Sequence, residues 1–148
     1  MLSTAHVSFT VEDLDRSLGF YRDTLGMGLV GRMERVGEDI SRIVAFEDAH
    51  LRIAFLELPG GGGMLLELIE YVSPRGRPAD RSTCNPGSAH ICFNVEEIHL
   101  VYETLRGRGV HFKSEPVAIL TGVNKGGYAV YFVDPDGNTL ELVQRPLG

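Results

Sequence analysis

The chain predicts an α+β fold built from two βαβββ halves, and three observations predict it. Residues 5–14, Ala-His-Val-Ser-Phe-Thr-Val-Glu-Asp-Leu, return 84 residues later as Ala-His-Ile-Cys-Phe-Asn-Val-Glu-Glu-Ile, with five of the ten positions identical. Each copy is followed by an apolar run with one carboxylate inside it, Leu-Leu-Glu67-Leu-Ile and then Thr-Leu-Glu141-Leu-Val. Between these landmarks, stretches of period two and of helical period follow the same order in both halves. At 148 residues the chain has room for one domain with a substantial core. Its expected parts are a first module at 1–73, a linker at 74–87 and a second module at 88–148.

In the first module, Val7, Phe9 and Val11 alternate with His6, Ser8 and Thr10, which predicts a strand over 6–11. Asp13 then reads as an N-cap, and Leu14, Leu18, Tyr21 and Leu25 recur at helical spacing up to a C-cap at Gly26. Extended segments are expected over 29–36, 40–46 and 51–58, a glycine turn over 60–63 and a final strand over 64–71. The linker is rich in Pro, Gly, Arg, Ser and Asp. In the second module a strand is expected over 89–95 and a helix from 96 or 97 to 108, stopped by Gly109. Strands follow over 110–113, 116–120, 128–133 and 139–144. Asp134-Pro135-Asp136-Gly137 is a turn, because proline sets one φ and glycine accepts a positive one.

Composition excludes several functional classes. A net charge of −6 disfavours nucleic acid and anionic membrane as partners. No apolar run approaches the length of a membrane span, and no signal peptide opens the chain, so a cytoplasmic protein is expected. Cys84 and Cys92 form neither a metal-type CxxC nor a disulfide framework. Cys92, in a strand pattern, reads as a small interior residue, and Cys84 as a loop residue.

Strand phase carries the functional argument. Successive side chains point to opposite faces, so His6, Ser8 and Thr10 share the face away from the helices, and His90, Cys92 and Asn94 repeat this. Glu67 and Glu141 each lie mid-strand with leucines on the opposite face. Singly, a strand histidine is a hydrogen-bonded structural residue and a strand glutamate a solvated one. Two of each at matching points of a repeat are different, because an unpartnered buried carboxylate costs several kcal/mol. A shared divalent cation, balanced in charge by two carboxylates and completed by two imidazoles, explains all four.

The pattern His-x-x-Phe-x-Val-x-Asp-Leu-x-x-Ser-x-x-Phe-Tyr-x-x-x-Leu-Gly-Met, from His6 to Met27, resembles the opening of the vicinal oxygen chelate superfamily of glyoxalases, bleomycin resistance proteins and extradiol dioxygenases. Phe-Val-Asp-Pro-Asp-Gly-Asn-Thr-Leu-Glu-Leu at 132–142 resembles its closing signature. The resemblance covers essentially the whole chain and implies paired βαβββ modules forming a half-open barrel around one divalent metal ion. The implied ligands are His6, Glu67, His90 and Glu141, and the implied metals are nickel, cobalt, zinc, manganese or magnesium. A homodimer acting on a small carbonyl or thioester substrate is also implied.

Four ligand positions resemble glyoxalase I and methylmalonyl-CoA epimerase. They imply a lyase, isomerase or epimerase that moves a proton α to a carbonyl through a metal-bound enediolate. The candidate bases are Glu141 and Glu47, the latter in Glu-Asp-Ala-His-Leu-Arg-Ile (47–53), which is similar to the segment carrying a catalytic glutamate in the epimerases. The chain departs from glyoxalase I at Thr10, where an arginine is usual, and from the epimerases at 134–137. An iron-dependent extradiol dioxygenase is the alternative enzyme, against which stand Glu67 and Gly126-Gly127-Tyr128-Ala129 in place of an acid–base histidine. A non-catalytic, ligand-sequestering resistance-type protein is the third reading. Lys125-Gly126-Gly127 offers a possible anion site through Lys125 and free amides, or a plain glycine turn. His50, His99 and His111 have no counterparts in the repeat and are expected at the surface.

Overall fold

Strand β1 (His6–Val11) opens the first of two compact units, Met1–Ala79 and Asp80–Gly148, in a computed structural model that describes residues 1–146. The unit continues through α1 (Leu14–Leu18), β2 (Leu29–Val36), α2 (Glu38–Val44), β3 (His50–Glu57) and β4 (Leu65–Ser73). Its sheet has the order β1-β4-β3-β2, with β1 parallel to β4 and the other pairs antiparallel. The expected alternation holds in β1, where Val7 and Phe9 are half-buried and Val11 is buried while His6, Ser8 and Thr10 are exposed. Leu14, Leu18, Tyr21, Leu66 and Leu68 are almost wholly removed from water. Each such side chain contributes about 1.5–3 kcal/mol of burial, which fixes the helix against one face of the sheet.

The start of α1 is held in two ways. Asp13 accepts a hydrogen bond from the Arg16 amide at 2.9 Å, as the N-cap pattern predicts. Glu70, 5% exposed, accepts from the Leu14 amide at 3.0 Å and from Arg52 Nη1 at 2.9 Å. Arg52 also donates to Asp15, and together with Arg32 it holds the Asp15 carboxyl below the usual carboxylate range. Glu70 thus brings a charge into the interior together with both of its partners. The segment beyond Leu18 differs from the expected α-helix. Gly19–Thr24 is a π-helical turn, with the Leu25 amide donating to the Phe20 carbonyl, before Gly26 turns the chain at φ 79°.

The segment expected to be extended over 40–46 is instead helical, within α2. Gly37, at φ 123°, ends β2, and the Ser41 amide donates back to the Gly37 carbonyl. Glu38 and Asp39 stand in the first turn, where negative charge suits the helix dipole. Ile40 packs with Ala49, Leu51 and Ile53, and Val44 joins them one turn on. A short apolar run does not reveal its own period, and the partner across the sheet decided this one.

The second unit repeats the plan with β5 (His90–Asn94), α3 (Ile98–Gly107), β6 (His111–Phe112), β7 (Val117–Ala118), β8 (Tyr128–Val133) and β9 (Thr139–Gln144). Its sheet runs β5-β9-β8-β6, and β7 also pairs β8. Strands β6 and β7 lie antiparallel along β8, at Val133–Phe132 and Ala129–Tyr128, as one strand broken at 113–116. Pro116, which has no amide hydrogen, lies in the break. With that break counted, both units are βαβββ, and α2 is the insertion peculiar to the first. The Ile98 amide donates to Gln144 Oε1 at 2.8 Å, the counterpart of the Leu14–Glu70 bond.

Gly127 permits the closest backbone approach in this unit, since a Cβ there would lie 2.1 Å from the Gln144 carbonyl oxygen. Gly127→Ala is therefore expected to cost about 2–3 kcal/mol in urea unfolding, as overpacking does. An unchanged midpoint would show that β9 moves aside freely.

Candidate functional site

Each unit brings one histidine and one glutamate together on the sheet face away from its α1 or α3 helix. In the first, Ser8 is the register partner of Glu67 and His6 that of Leu65, so the histidine reaches the carboxylate diagonally. His6 Nε2 stands 3.3 Å from Glu67 Oε2, and the imidazole meets the edge of Phe55 at a centroid distance of 6.0 Å. In the second, Cys92 is the partner of Glu141 and His90 that of Thr139, the same register. His90 Nε2 stands 3.1 Å from Glu141 Oε2, and the ring lies 5.2 Å from that of Tyr131. Although 61 residues separate the first pair and 51 the second, parallel pairing with the opening strand restores one geometry.

The donor chemistry fits a divalent cation. Imidazole nitrogen and carboxylate oxygen are its usual protein ligands, with bonds of about 2.0–2.2 Å, so adjacent donors in such a shell lie about 3 Å apart. Both pairs have that spacing. The histidine side chains are 43% and 38% exposed and the glutamates 12% and 18%, which leaves the imidazoles open and the carboxylates sheltered. Among the described residues, no group of three or more His, Cys, Asp and Glu side chains stands together as a metal site. Within each unit the donors stand as a pair.

The cross-strand rows through the two glutamates differ in chemistry. In the first unit the row is Ser8, Glu67, Phe55 and Gly31. In the second it is Cys92, Glu141 and Tyr131, extended by Lys113, whose amide donates to the Tyr131 carbonyl. Sequence reasoning passed over Tyr131 and Lys113, because each reads as one residue of an expected strand, 128–133 and 110–113, with no counterpart in the repeat to mark it. The expectation of an interior Cys92 is corrected. Cys92 is exposed on the histidine face, like Ser8 in the first copy, and Cys84 is exposed as well. Desolvation at the thiol and its hydrogen bond to the Glu141 carboxylate push Cys92 up to about 12. Desolvation, with Glu141 nearby, also raises the Tyr131 phenol.

Glu47 is exposed in the turn after α2. Its neighbour Phe46 packs edge-on against Tyr71, four residues along β4 from Glu67, or about 13 Å at the rise of a strand. Of the two readings of 125–127, the structure shows the glycine turn and not a set of free amides. The amides of Lys125, Gly126 and Gly127 donate to the carbonyls of Gly122, Ile119 and Asn124. These three amides are therefore not free to hold an anion. His99 and His111 are exposed, His99 against the Tyr128 ring, and half-buried His50 pairs with Glu34.

The sequence profile of the glyoxalase/bleomycin resistance protein/dioxygenase superfamily matches residues 3–142. The chain belongs to that superfamily. Among its relatives, a 2-epi-5-epi-valiolone epimerase from Actinomyces sp. is 33% identical over 147 residues, covering 97% of this chain and 79% of the relative. A lactoylglutathione lyase from Arabidopsis thaliana is 29% identical over 142 residues, covering 95% of this chain, which spans 43% of the plant protein's length. A solved glyoxalase family protein from Bacillus cereus shares the fold at a TM-score of 0.83, with 24% identity and coverage of 99% and 96%. This superfamily member has two strand-rich βαβββ units. No helix among its described residues is long and apolar enough to cross a membrane.

Proposed function

We propose that this superfamily member is a divalent-metal-dependent isomerase, epimerase or lyase that moves a proton on a carbon α to a carbonyl. The observation that carries the proposal is the repetition of one histidine–glutamate pair, in one register, in both units. The proposed donors are His6 and Glu67 from the first unit and His90 and Glu141 from the second. When bound, the ion supplies Lewis-acid stabilisation of the charge that a carbonyl oxygen gains. The names of the relatives support this class, since epimerisation next to a carbonyl and isomerisation of a 2-oxoaldehyde adduct both begin by removing such a proton.

The chain's own part is to move that proton. A carboxylate removes it from the α carbon. Its return to the neighbouring carbon isomerises the substrate, whereas a proton delivered by a second acid to the opposite face of the α carbon epimerises it. Glu141 is one proposed base, sheltered and within reach of His90. Glu47 is the other, exposed and remote from Glu67 along β4. Glu47→Gln separates the two roles. Retained metal with turnover reduced by about 10²–10⁴ assigns the base to Glu47, and full turnover assigns it to Glu141.

Elemental mass spectrometry on protein purified without chelators tests the proposal as a whole. One equivalent of nickel, cobalt, zinc, manganese or magnesium, followed by solvent-deuterium exchange into a 2-oxoaldehyde adduct, a cyclitol ketone or an acyl thioester, is the expected result. Bound iron with catechol cleavage would replace it by a dioxygenase. A protein that takes up no metal on reconstitution would leave neither.

A further inference from the structure

The two units repeat the histidine–glutamate pair but not what surrounds it. The chain has twelve arginines and two lysines, Lys113 and Lys125. Lys125 sits in a glycine loop, whereas Lys113 lies in the glutamate row of the second unit, where the first unit has Gly31. The Lys113 side chain crosses β8. Its ammonium stands 5.8 Å from the Tyr131 ring centroid and donates to Thr139 Oγ1 at 3.3 Å. Thr139 is the register partner of His90, and Tyr131 that of Glu141, so the ammonium is delivered to the edge of the pair.

Among the described residues, no carboxylate oxygen lies within 4.0 Å of that ammonium. A hydroxyl and an aromatic face hold the stem and head in place without neutralising the charge. Most of the unit's other basic side chains behave differently or lie elsewhere. Arg106 pairs with Glu103 on α3, and Arg81 is spent on the Asp136 carbonyl. A fixed, uncompensated ammonium beside a phenol suits an anionic oxygen acceptor.

We propose that Lys113 and Tyr131 form a subsite for an anionic oxygen group of the substrate, a carboxylate or a phosphate, next to His90 and Glu141. The subsite is a feature of the second unit alone, since the first has Phe55 and Gly31 in the corresponding row. It rests on the reading of a carbonyl substrate handled at these pairs, and it narrows that substrate to one carrying a negative charge.

The full chain labelled with ¹³Cε-lysine gives two lysine signals, which Lys125→Arg assigns. Sodium malonate and inorganic phosphate are titrated separately at constant ionic strength, and the anion that binds more tightly identifies the group. The expected result is a saturable shift of the Lys113 signal alone, weakened about three- to tenfold in Tyr131→Phe by loss of one hydrogen bond. Lysine signals that move together, or no shift at all, would overturn the subsite. On a substrate that is turned over, Lys113→Met should raise KM about tenfold or more, with the loss larger in KM than in kcat and largely restored in Lys113→Arg. An unchanged KM in Lys113→Met sinks the subsite and leaves the isomerase reading standing. A selective Lys113 shift in a protein that exchanges no α proton supports the subsite and removes the isomerase.

Discussion

Glu141→Ala should strip the protein of its metal and of turnover together. A divalent ion with two carboxylate and two imidazole donors is electrically neutral, and removing one carboxylate leaves a net positive charge as well as an open position. Loss of a partner outside the ligand shell already weakens metal binding about 10–100-fold, so loss of a ligand is expected to cost at least about 100-fold. Turnover should fall by roughly a thousandfold or more, because several kcal/mol of charge stabilisation are lost at about 1.4 kcal/mol per factor of ten.

Glu67→Ala should behave in the same way, since its carboxylate occupies the equivalent register position. His6→Ala and His90→Ala should also lower metal content, but with charge balance retained. Glu141→Gln keeps an oxygen donor without the charge and should fall between wild type and alanine. The measurement is metal stoichiometry by elemental mass spectrometry, with circular dichroism as the control for folding. A variant that still carries one equivalent removes its residue from the ligand set. Retention in both His6→Ala and Glu67→Ala would confine the metal to the second unit.

Glu70→Ala should produce the largest loss of stability of any single carboxylate change. The substitution leaves the Leu14 amide without an acceptor at the start of α1 and deprives Arg52 of one of its two carboxylates. An unsatisfied buried donor costs about 1–3 kcal/mol, and breaking a buried pair adds to it, so about 3 kcal/mol is expected. At the size of this chain that lowers Tm by roughly 10 °C.

The second unit suggests the rescue. It performs the same capping with the neutral Gln144, so Glu70→Gln should keep the amide bond and lose about half as much. Gln144→Ala should cost about 1–2 kcal/mol, since no buried charge is stranded. Urea unfolding of the three variants checks the order. Equal losses in Glu70→Gln and Glu70→Ala would mean that the Arg52 pairing, rather than the cap, dominates.

Period-two alternation, a local property, was enough to put His6 and His90 on the face away from the helices and Glu67 and Glu141 in mid-strand. The internal repeat then matched the two pairs to each other, and the closing signature carried the superfamily. Local sequence did not contain the pairing of strands far apart in the chain. Parallel register between β1 and β4, and between β5 and β9, set the 3.3 and 3.1 Å approaches. It also turned Glu70 and Gln144 into caps for helices more than forty residues away in sequence.

The same limit explains the differences from expectation. The run around Ile40 became α2 because Ala49, Leu51 and Ile53 offered it a surface. Cys92 was exposed because phase put it with the histidines, although its residue type suggested the interior. Tyr131 became a neighbour of Glu141 only through the pairing of β8 with β9, and Lys113 through its amide bond to the Tyr131 carbonyl just beyond β6. A strand's own residues determine which side each faces. What stands opposite is decided when the sheet assembles, because register is set by contacts between segments that the chain keeps far apart.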